Sequence, residues 1–180
     1  KSELSQAGLS VLQAEELSTS ERDWLEQLFL TRIFPILTPI AADPAHPFPF
    51  IPNKAMVIVV ELVRPADGKA MNGLIPIPGA LERFIRLETN PAKPKDIRFV
   101  RLESAIGLFI GELFSGFDIK SQGAFRVLRD SDIELQEEAE DLVRSYESQL
   151  KRRRRGNVIR LEIEARMPER LQKFVIEELE

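Results

Sequence analysis

The sequence predicts an α+β fold: a single domain in which helices pack on a largely antiparallel sheet. Two observations lead to this prediction. Apolar residues recur at three- and four-residue spacing in some segments, which indicates helices, and alternate or run continuously in others, which indicates strands. Several strands are separated by short turn sequences, which favour hairpins. At 180 residues, 43% of them hydrophobic, the chain is long enough for one sizeable core.

The first elements are helical with one short strand. Residues 1–9 have a helical pattern, and residues 10–13 suggest a strand. A helix start is predicted at residues 18–21, where hydroxyl side chains precede an acid in the first turn. This helix should bury one face, made by Trp24, Leu25, Leu28, Phe29 and Ile33. Pro35 is expected to end it, because proline cannot continue the hydrogen-bond ladder.

The middle of the chain predicts strands. Residues 55–63 are almost all apolar and rich in β-branched side chains, which is typical of a central strand covered on both faces. A turn at residues 65–68 leads to a hairpin partner over residues 71–77. Two more short strands are predicted at residues 84–87 and 97–101.

The last third alternates helix and strand. Residues 102–114 predict one buried helix, and residues 125–128 predict a strand. A long helix should follow, with one apolar stripe of Leu135, Ala139, Leu142, Tyr146 and Leu150. Residues 157–165 alternate between apolar and polar side chains, which predicts a half-exposed strand. The side chains predicted on its apolar face are those of Ile159, Leu161, Ile163 and Ala165. Pro168 is expected to open a terminal helix.

Composition excludes several kinds of site. The chain has no cysteine and one histidine, so disulfides, thiolate zinc sites, cysteine nucleophiles and multi-histidine metal sites are excluded. It contains no phosphate-binding glycine motif, so we expect no cofactor or metal site. No apolar run approaches the roughly 20 residues of a membrane span, and we expect a cytoplasmic protein. The net charge of −4 argues against a generic nucleic-acid binder.

Three stretches are distinctive. Residues 37–50, LTPIAADPAHPFPF, hold the only histidine and a third of the 12 prolines, and therefore predict a rigid, extended connector. The other two are FRVLRDSDIEL at residues 125–135 and RRRRGNVIRLE at residues 152–162. Together and in this order, the three stretches resemble the middle, or head, domain of bacterial polyphosphate kinases.

The resemblance implies that residues 1–180 form a head domain within a longer multidomain chain whose catalytic domains are absent here. The whole enzyme would transfer the terminal phosphate of ATP reversibly to polyphosphate through a phosphohistidine. ATP and Mg²⁺ would be bound mainly by the other domains, and the enzyme would be at least a dimer. For this segment the resemblance implies a non-catalytic scaffold at the subunit interface. Expected contact surfaces are the Pro47–Phe50 segment, Phe114 and Phe117.

The candidates for a polyphosphate path are Lys151, Arg152, Arg155 and Arg160. Arginine suits this role because its planar guanidinium can bind phosphate oxygens bidentately. If the basic run at residues 151–155 is helical, only some of its side chains lie on the same face, such as those of Arg152 and Arg155. The alternative is that these cations end a solvated helix and complement its dipole, and the sequence leaves both interpretations open.

Two other groups are expected to be structural. For Arg126, Arg129 and Asp130 we expect an internal Arg–Asp interaction that holds strand to helix, and Asp130 or Asp132 should cap the next helix. His46 lies between two prolines with Asp43 nearby, and we expect a hydrogen-bonded packing histidine rather than a catalytic one.

Two rival functions remain. One is a free-standing module that binds RNA or another polyanion through residues 151–155, which would show a steep salt dependence. The other is a purely structural dimerisation domain. Against RNA binding, the pattern assigns the aromatic side chains to the core and shows no stacking platform of exposed aromatics between basic residues.

Overall fold

A computed structural model of the chain describes residues 8–42, 48–88, 96–130 and 156–179. The strands are β1 (Leu9–Leu12), β2 (Ile40–Ala42), β3 (Met56–Val63), β4 (Ala70–Pro76), β5 (Phe84–Arg86), β6 (Ile97–Arg101), β7 (Asp118–Arg129) and β8 (Val158–Ile163). The helices are α1 (Thr19–Leu28), α2 (Leu102–Leu108), α3 (Ile110–Leu113) and α4 (Glu169–Leu179). Helices together with one antiparallel sheet and one small mixed sheet confirm the predicted α+β class.

The larger sheet has the strand order β2-β4-β3-β7-β8, and all of its neighbours pair antiparallel. The smaller sheet has the order β1-β6-β5, with β1 parallel to β6 and β5 antiparallel to it. The parallel pair was not anticipated. Its strands lie far apart in the sequence, and no local signal reports such a pairing.

Strand β3 is the centre of the larger sheet and is buried on both faces, as predicted. Val57 and Val59 face one core, whereas Ile58 and Val60 face the other. All four are at most 3% exposed. The alternation of side chains along a strand places neighbours on opposite faces, so a strand with apolar side chains on both faces needs cover on both.

The first core lies between one face of the larger sheet, helices α1 and α2 and the smaller sheet. The second core lies between the other face and α4, which contributes Leu171 and Val175. Phe48 also reaches the second core, where its ring centroid lies 5.8 Å from that of Phe174. The end of the proline segment is therefore packed on the terminal helix.

Helix α1 begins as the sequence predicts. The backbone N–H of Glu21 donates to Ser18 Oγ, and the Ser18 N–H donates to the Glu21 carboxylate at 2.9 Å, which completes a capping box. The α-helical part ends at Leu28. A π-helical turn (Phe29–Ile33) and a 3₁₀ turn (Phe34–Ile36) follow, so Pro35 lies in the tighter turn after the helix.

The single helix predicted for residues 102–114 is wrong in one respect. It divides at Phe109, whose φ of −113° and ψ of 20° leave helical geometry. The Phe109 ring packs against Phe29 with a centroid distance of 5.4 Å, so core packing overrides helix continuation here. A Cβ on Gly107 would lie 3.0 Å from Gln122 Nε2, which explains this glycine by close packing on β7, whereas one on Gly111 would have nothing within 4 Å.

Strand β7 extends well before the predicted residues 125–128. Its first half is polar, so the apolar pattern did not predict a strand there, yet it pairs with β3 from Asp118 onward. Strand β8 also corrects one prediction. Its register passes from Leu128↔Arg160 to Arg129↔Val158, so Ile159 is the extra residue of a β-bulge and is 67% exposed, not on the apolar face.

Some predictions lie outside the described residues: most of the helix over residues 1–9, the long helix after residue 130, and the central part of the proline segment. Residue 9, assigned to that first helix, begins β1. In the part of the chain that is described, no helix is both long and apolar enough to cross a membrane.

Candidate functional site

The arginine of the FRVLRD stretch joins several segments. Arg129 Nε donates to the Ile51 carbonyl oxygen at 2.8 Å, and its Nη1 donates to the Gly156 carbonyl oxygen at 2.9 Å. The guanidinium carbon also lies 4.6 Å from the ring centroid of Phe50, within cation–π range. Burial lowers the pKa of the Arg129 guanidinium below its ordinary value. One side chain therefore fixes the end of the proline segment to the chain just before β8.

Gly156 completes this junction. A Cβ at this position would lie 2.0 Å from the Asp130 carbonyl oxygen, so a larger residue does not fit there. The Asp130 N–H donates to the Asn157 carbonyl oxygen at 2.8 Å, and Asn53 Oδ1 accepts from the Arg129 N–H at 2.9 Å. The three stretches that carried the resemblance thus meet at one end of the larger sheet.

Only one of the four predicted path residues can be placed. Lys151, Arg152 and Arg155 lie outside the described residues, as do His46, Asp43 and Asp132. Arg160 lies on β8 with its side chain 68% exposed, and its Nη2 is 3.0 Å from Glu162 Oε1. It is an exposed, ion-paired cation next to the junction, opposite Leu128 in the register.

The two other arginines of interest use backbone oxygens. Arg126 Nε donates to the Lys54 carbonyl oxygen at 3.3 Å, and Arg129 donates to the two carbonyls given above. The expectation that Arg129 is structural is consistent with these contacts, although its described acceptors are carbonyl oxygens rather than a carboxylate. A carbonyl acceptor has no sequence signature, which explains why these partners were missed.

The expected apolar contact surfaces are only partly exposed. Phe114 and Phe117 are half-buried against the first core, so these two are not surface aromatics. Phe50 is 46% exposed although Arg129 lies over its ring, and among the described residues the other large exposed aromatic side chains are those of Phe34 and Phe84.

A cleft of about 840 Å³ opens on the same face of the sheet as Arg126. It lies between β7 and β8, helix α2 and the 3₁₀ turn Ala14–Glu16. The arginines along its walls are Arg22, Arg83, Arg101, Arg126 and Arg166. The sequence did not indicate this cleft, because its cations come from separate elements and form no motif. The described residues include no group of three or more side chains suited to a metal ion.

Comparison with known proteins points to one family. A family profile described as the polyphosphate kinase middle domain matches residues 20–180. The polyphosphate kinase of Erythrobacter litoralis is 49% identical over 162 residues, which cover 90% of this chain and 22% of that protein. That of Mycolicibacterium gilvum is 35% identical over 178 residues, 98% of this chain and 24% of that protein.

A structural comparison agrees. The crystal structure of polyphosphate kinase from Porphyromonas gingivalis matches with a TM-score of 0.73 at 20% identity, over 98% of this chain and 24% of that one. At this identity the match shows a shared fold. The chain therefore spans about a quarter of the length of the proteins that it matches.

Proposed function

Because the chain belongs to the polyphosphate kinase family, as its middle domain, we propose that it is the non-catalytic scaffold of an enzyme that reversibly transfers the terminal phosphate of ATP to polyphosphate. The transfer proceeds through a phosphohistidine in another domain. ATP and Mg²⁺ are bound mainly outside this chain. The enzyme is cytoplasmic and at least dimeric, and this domain contributes to the subunit interface.

The second part of the proposal is that the end of the larger sheet lines the polyphosphate path. The observation that carries it is the fixed position of Gly156, which is held by Arg129 and closely packed against Asp130. The basic run Lys151–Arg155 is joined directly to Gly156 in the sequence. The run is therefore attached to the sheet end where Arg160 is exposed, and our proposal is that a linear polyanion contacts both.

The RNA-binding alternative has less support. Single-stranded RNA is bound by exposed aromatic rings on which bases stack, set among basic side chains. Near the junction the exposed ring is that of Phe50, and Arg129 already lies over it. A flexible inorganic polymer needs cations without a stacking platform, which is what the described surface around Arg160 offers.

The test is a salt titration of labelled long-chain polyphosphate binding to the chain and to Arg152→Ala/Arg155→Ala. The matched control is Arg64→Ala/Lys173→Ala, which removes two exposed, ion-paired cations elsewhere. We expect the affinity to fall at least about tenfold in the first variant and the salt slope to flatten, because fewer counterions are released. The control should change the affinity by less than about twofold.

Competition with RNA of matched charge separates the alternatives. Polyphosphate binding that resists RNA supports the path. RNA that binds equally well or better supports the polyanion-binding module instead. Equal loss in the two double variants would show that binding follows total charge rather than the basic run and would overturn the path assignment.

A further inference from the structure

We propose that the cleft described above is a second anion site, which binds a condensed phosphate of a few units independently of the basic run. The cleft volume of about 840 Å³ falls within the range of roughly 300–1,000 Å³ that is usual for small-ligand pockets. Its floor is formed by residues of β7 and β8, and its opposite wall is made by α2 and the turn Ala14–Glu16. The site is therefore built from the scaffold rather than from one loop.

The carboxylates that line the cleft are mostly engaged. Glu164 accepts the Ala124 N–H at 3.0 Å. Glu162 pairs with Arg160, and Glu15 lies 4.0 Å from Arg166. These contacts direct three of the four acidic side chains of the cleft toward partners of their own.

The cleft is lined by five arginines and four glutamates, so its formal charge is +1. Arg83 and Arg101 share the single carboxylate Glu103, at 3.1 and 3.8 Å. Arg22 and Arg126 have no carboxylate partner within 4.0 Å among the residues that the structure describes. Apart from Arg126 Nε, which donates to the Lys54 carbonyl oxygen, the guanidinium N–H groups of these two arginines have no hydrogen-bond partner among the described residues and can bind an anion.

Arg101 is the cation most ready to change partners. Its Nη2 donates to Gln13 Oε1 at 3.3 Å, and its ion pair with Glu103 is long. Its Nε is buried without a hydrogen-bond partner among the described residues, as is Glu103 Oε2. A buried donor without a partner is unfavourable, so a small rotation of the guanidinium toward a phosphate oxygen gains a hydrogen bond at little cost.

The arrangement favours linked phosphates over a single one. Four of the five arginines come from α1, from the residues before β5, from the end of β6 and from β7, and Arg166 follows β8, so they are distributed around the cleft. An orthophosphate ion contacts one or two guanidinium groups, whereas a chain of three phosphates reaches several. Such a chain exists as free tripolyphosphate and as the tail of a nucleoside triphosphate, and the test separates these sources.

The test is calorimetric titration of the chain with tripolyphosphate, ATP and orthophosphate at low and at moderate salt. The variant Arg22→Gln/Arg126→Gln removes the two cations without a carboxylate partner. Arg32→Gln/Arg86→Gln is the matched control, since both arginines are exposed and neither lines the cleft. We expect tripolyphosphate to bind the cleft variant at least about tenfold more weakly, and the control to stay within about twofold.

Further arms keep the result interpretable. Arg22→Gln alone removes an exposed side chain and should weaken binding measurably even if the double variant is less stable, which thermal unfolding will show. Arg152→Ala/Arg155→Ala should leave tripolyphosphate binding unchanged, so this site can fail or succeed separately from the polymer path.

ATP that binds as tightly as tripolyphosphate identifies the nucleotide tail as a ligand, and weaker ATP binding identifies the free chain. No binding, equal binding of orthophosphate, or equal loss in the control would overturn the proposal.

Discussion

The guanidinium of Arg129 donates to the carbonyl oxygen of Gly156 at 2.9 Å, across 27 positions of the sequence. The same side chain donates to the Ile51 carbonyl oxygen and lies over the Phe50 ring. Three segments therefore depend on one planar, permanently charged group. This junction should contribute to stability and, through Gly156, fix where the chain enters β8.

Replacing Arg129 with lysine should lower the free energy of unfolding by about 2 kcal/mol. Lysine keeps the charge but not the fork that serves two carbonyls and one ring face, and a lost hydrogen bond to a charged group costs about 1.5–3 kcal/mol. Urea unfolding measures the change. Arg160→Lys, an exposed arginine on the adjacent strand, should cost less than about 0.5 kcal/mol. Similar decreases in the free energy of unfolding for the two variants would show that the contacts of Arg129 do not stabilise the fold.

Gly156→Ala should destabilise the fold by about 1–3 kcal/mol, the usual cost of overpacking. The added Cβ would meet the Asp130 carbonyl oxygen at 2.0 Å, and backbone on both sides would have to move. Gly111→Ala is the matched control, because nothing lies within 4 Å of a Cβ there, and it should be neutral or stabilising by up to about 1 kcal/mol. Calorimetric melting of both variants measures the change in stability. A Tm for Gly156→Ala at or above the parent value would contradict the close contact with Asp130.

A buried carboxylate ties α4 to the central strand. Glu61, 8% exposed, pairs with Arg170 and accepts from Ser121 Oγ at 2.9 Å. Arg170→Met should cost about 1 kcal/mol, since it leaves a buried carboxylate without its cation while solvent at the exposed arginine moderates the loss.

A double-mutant cycle tests the Glu61–Arg170 pair. Adding Glu61→Gln to Arg170→Met should recover part of the loss, and the coupling energy is read from urea unfolding of the three variants. Lys173→Met breaks the exposed helical pair with Glu169 and should cost only about 0.3–0.5 kcal/mol. Additive effects at Glu61 and Arg170 would mean that the pair is not coupled.

The elements that the sequence predicted are those with local causes. Strand β3 is apolar at every position except Glu61, and α1 begins with a complete capping box, so short segments contain the information. The first half of β7 is different. Its residues are polar, and its strand form depends on pairing with β3, which lies about 60 positions away, as in the Glu61–Ser121 pair.

The candidate site divides in the same way. Arg160 on an exposed strand follows from the alternation of residues 157–165, and the structural importance of Arg129 follows from its motif. The acceptors of Arg129 are backbone carbonyls, and any residue supplies those, so the sequence cannot identify them. Arg22, Arg83 and Arg101 are brought to the cleft by tertiary packing alone. The periodicity of the sequence reports only local structure, so it cannot predict the cleft.

The bulge in β8 allows the sequence pattern and the structure to be tested against each other. By pattern Ile159 is a core residue, but it is 67% exposed, while Val158 and Leu161 pack on the second core. Ile159→Thr should change the free energy of unfolding by no more than about 0.5 kcal/mol, whereas Leu161→Thr should cost about 1–2 kcal/mol. Urea unfolding of the two variants is sufficient. A larger loss at Ile159 would place it in the core and remove the bulge.

Glu162 provides a gain-of-affinity test of the polyphosphate path. Its Oε1 lies 3.0 Å from Arg160 Nη2, so it both neutralises Arg160 and repels a polyanion. Glu162→Gln should raise the affinity for long-chain polyphosphate about two- to fivefold at low salt, as expected for one exposed ion pair, and salt should suppress the gain. Glu169→Gln removes an equivalent exposed charge on α4 and should have no effect. The gain should also disappear in an Arg160→Ala background, because the released cation is then missing. A gain that persists there would come from the neighbouring cleft, and no gain in either background would place Arg160 off the path.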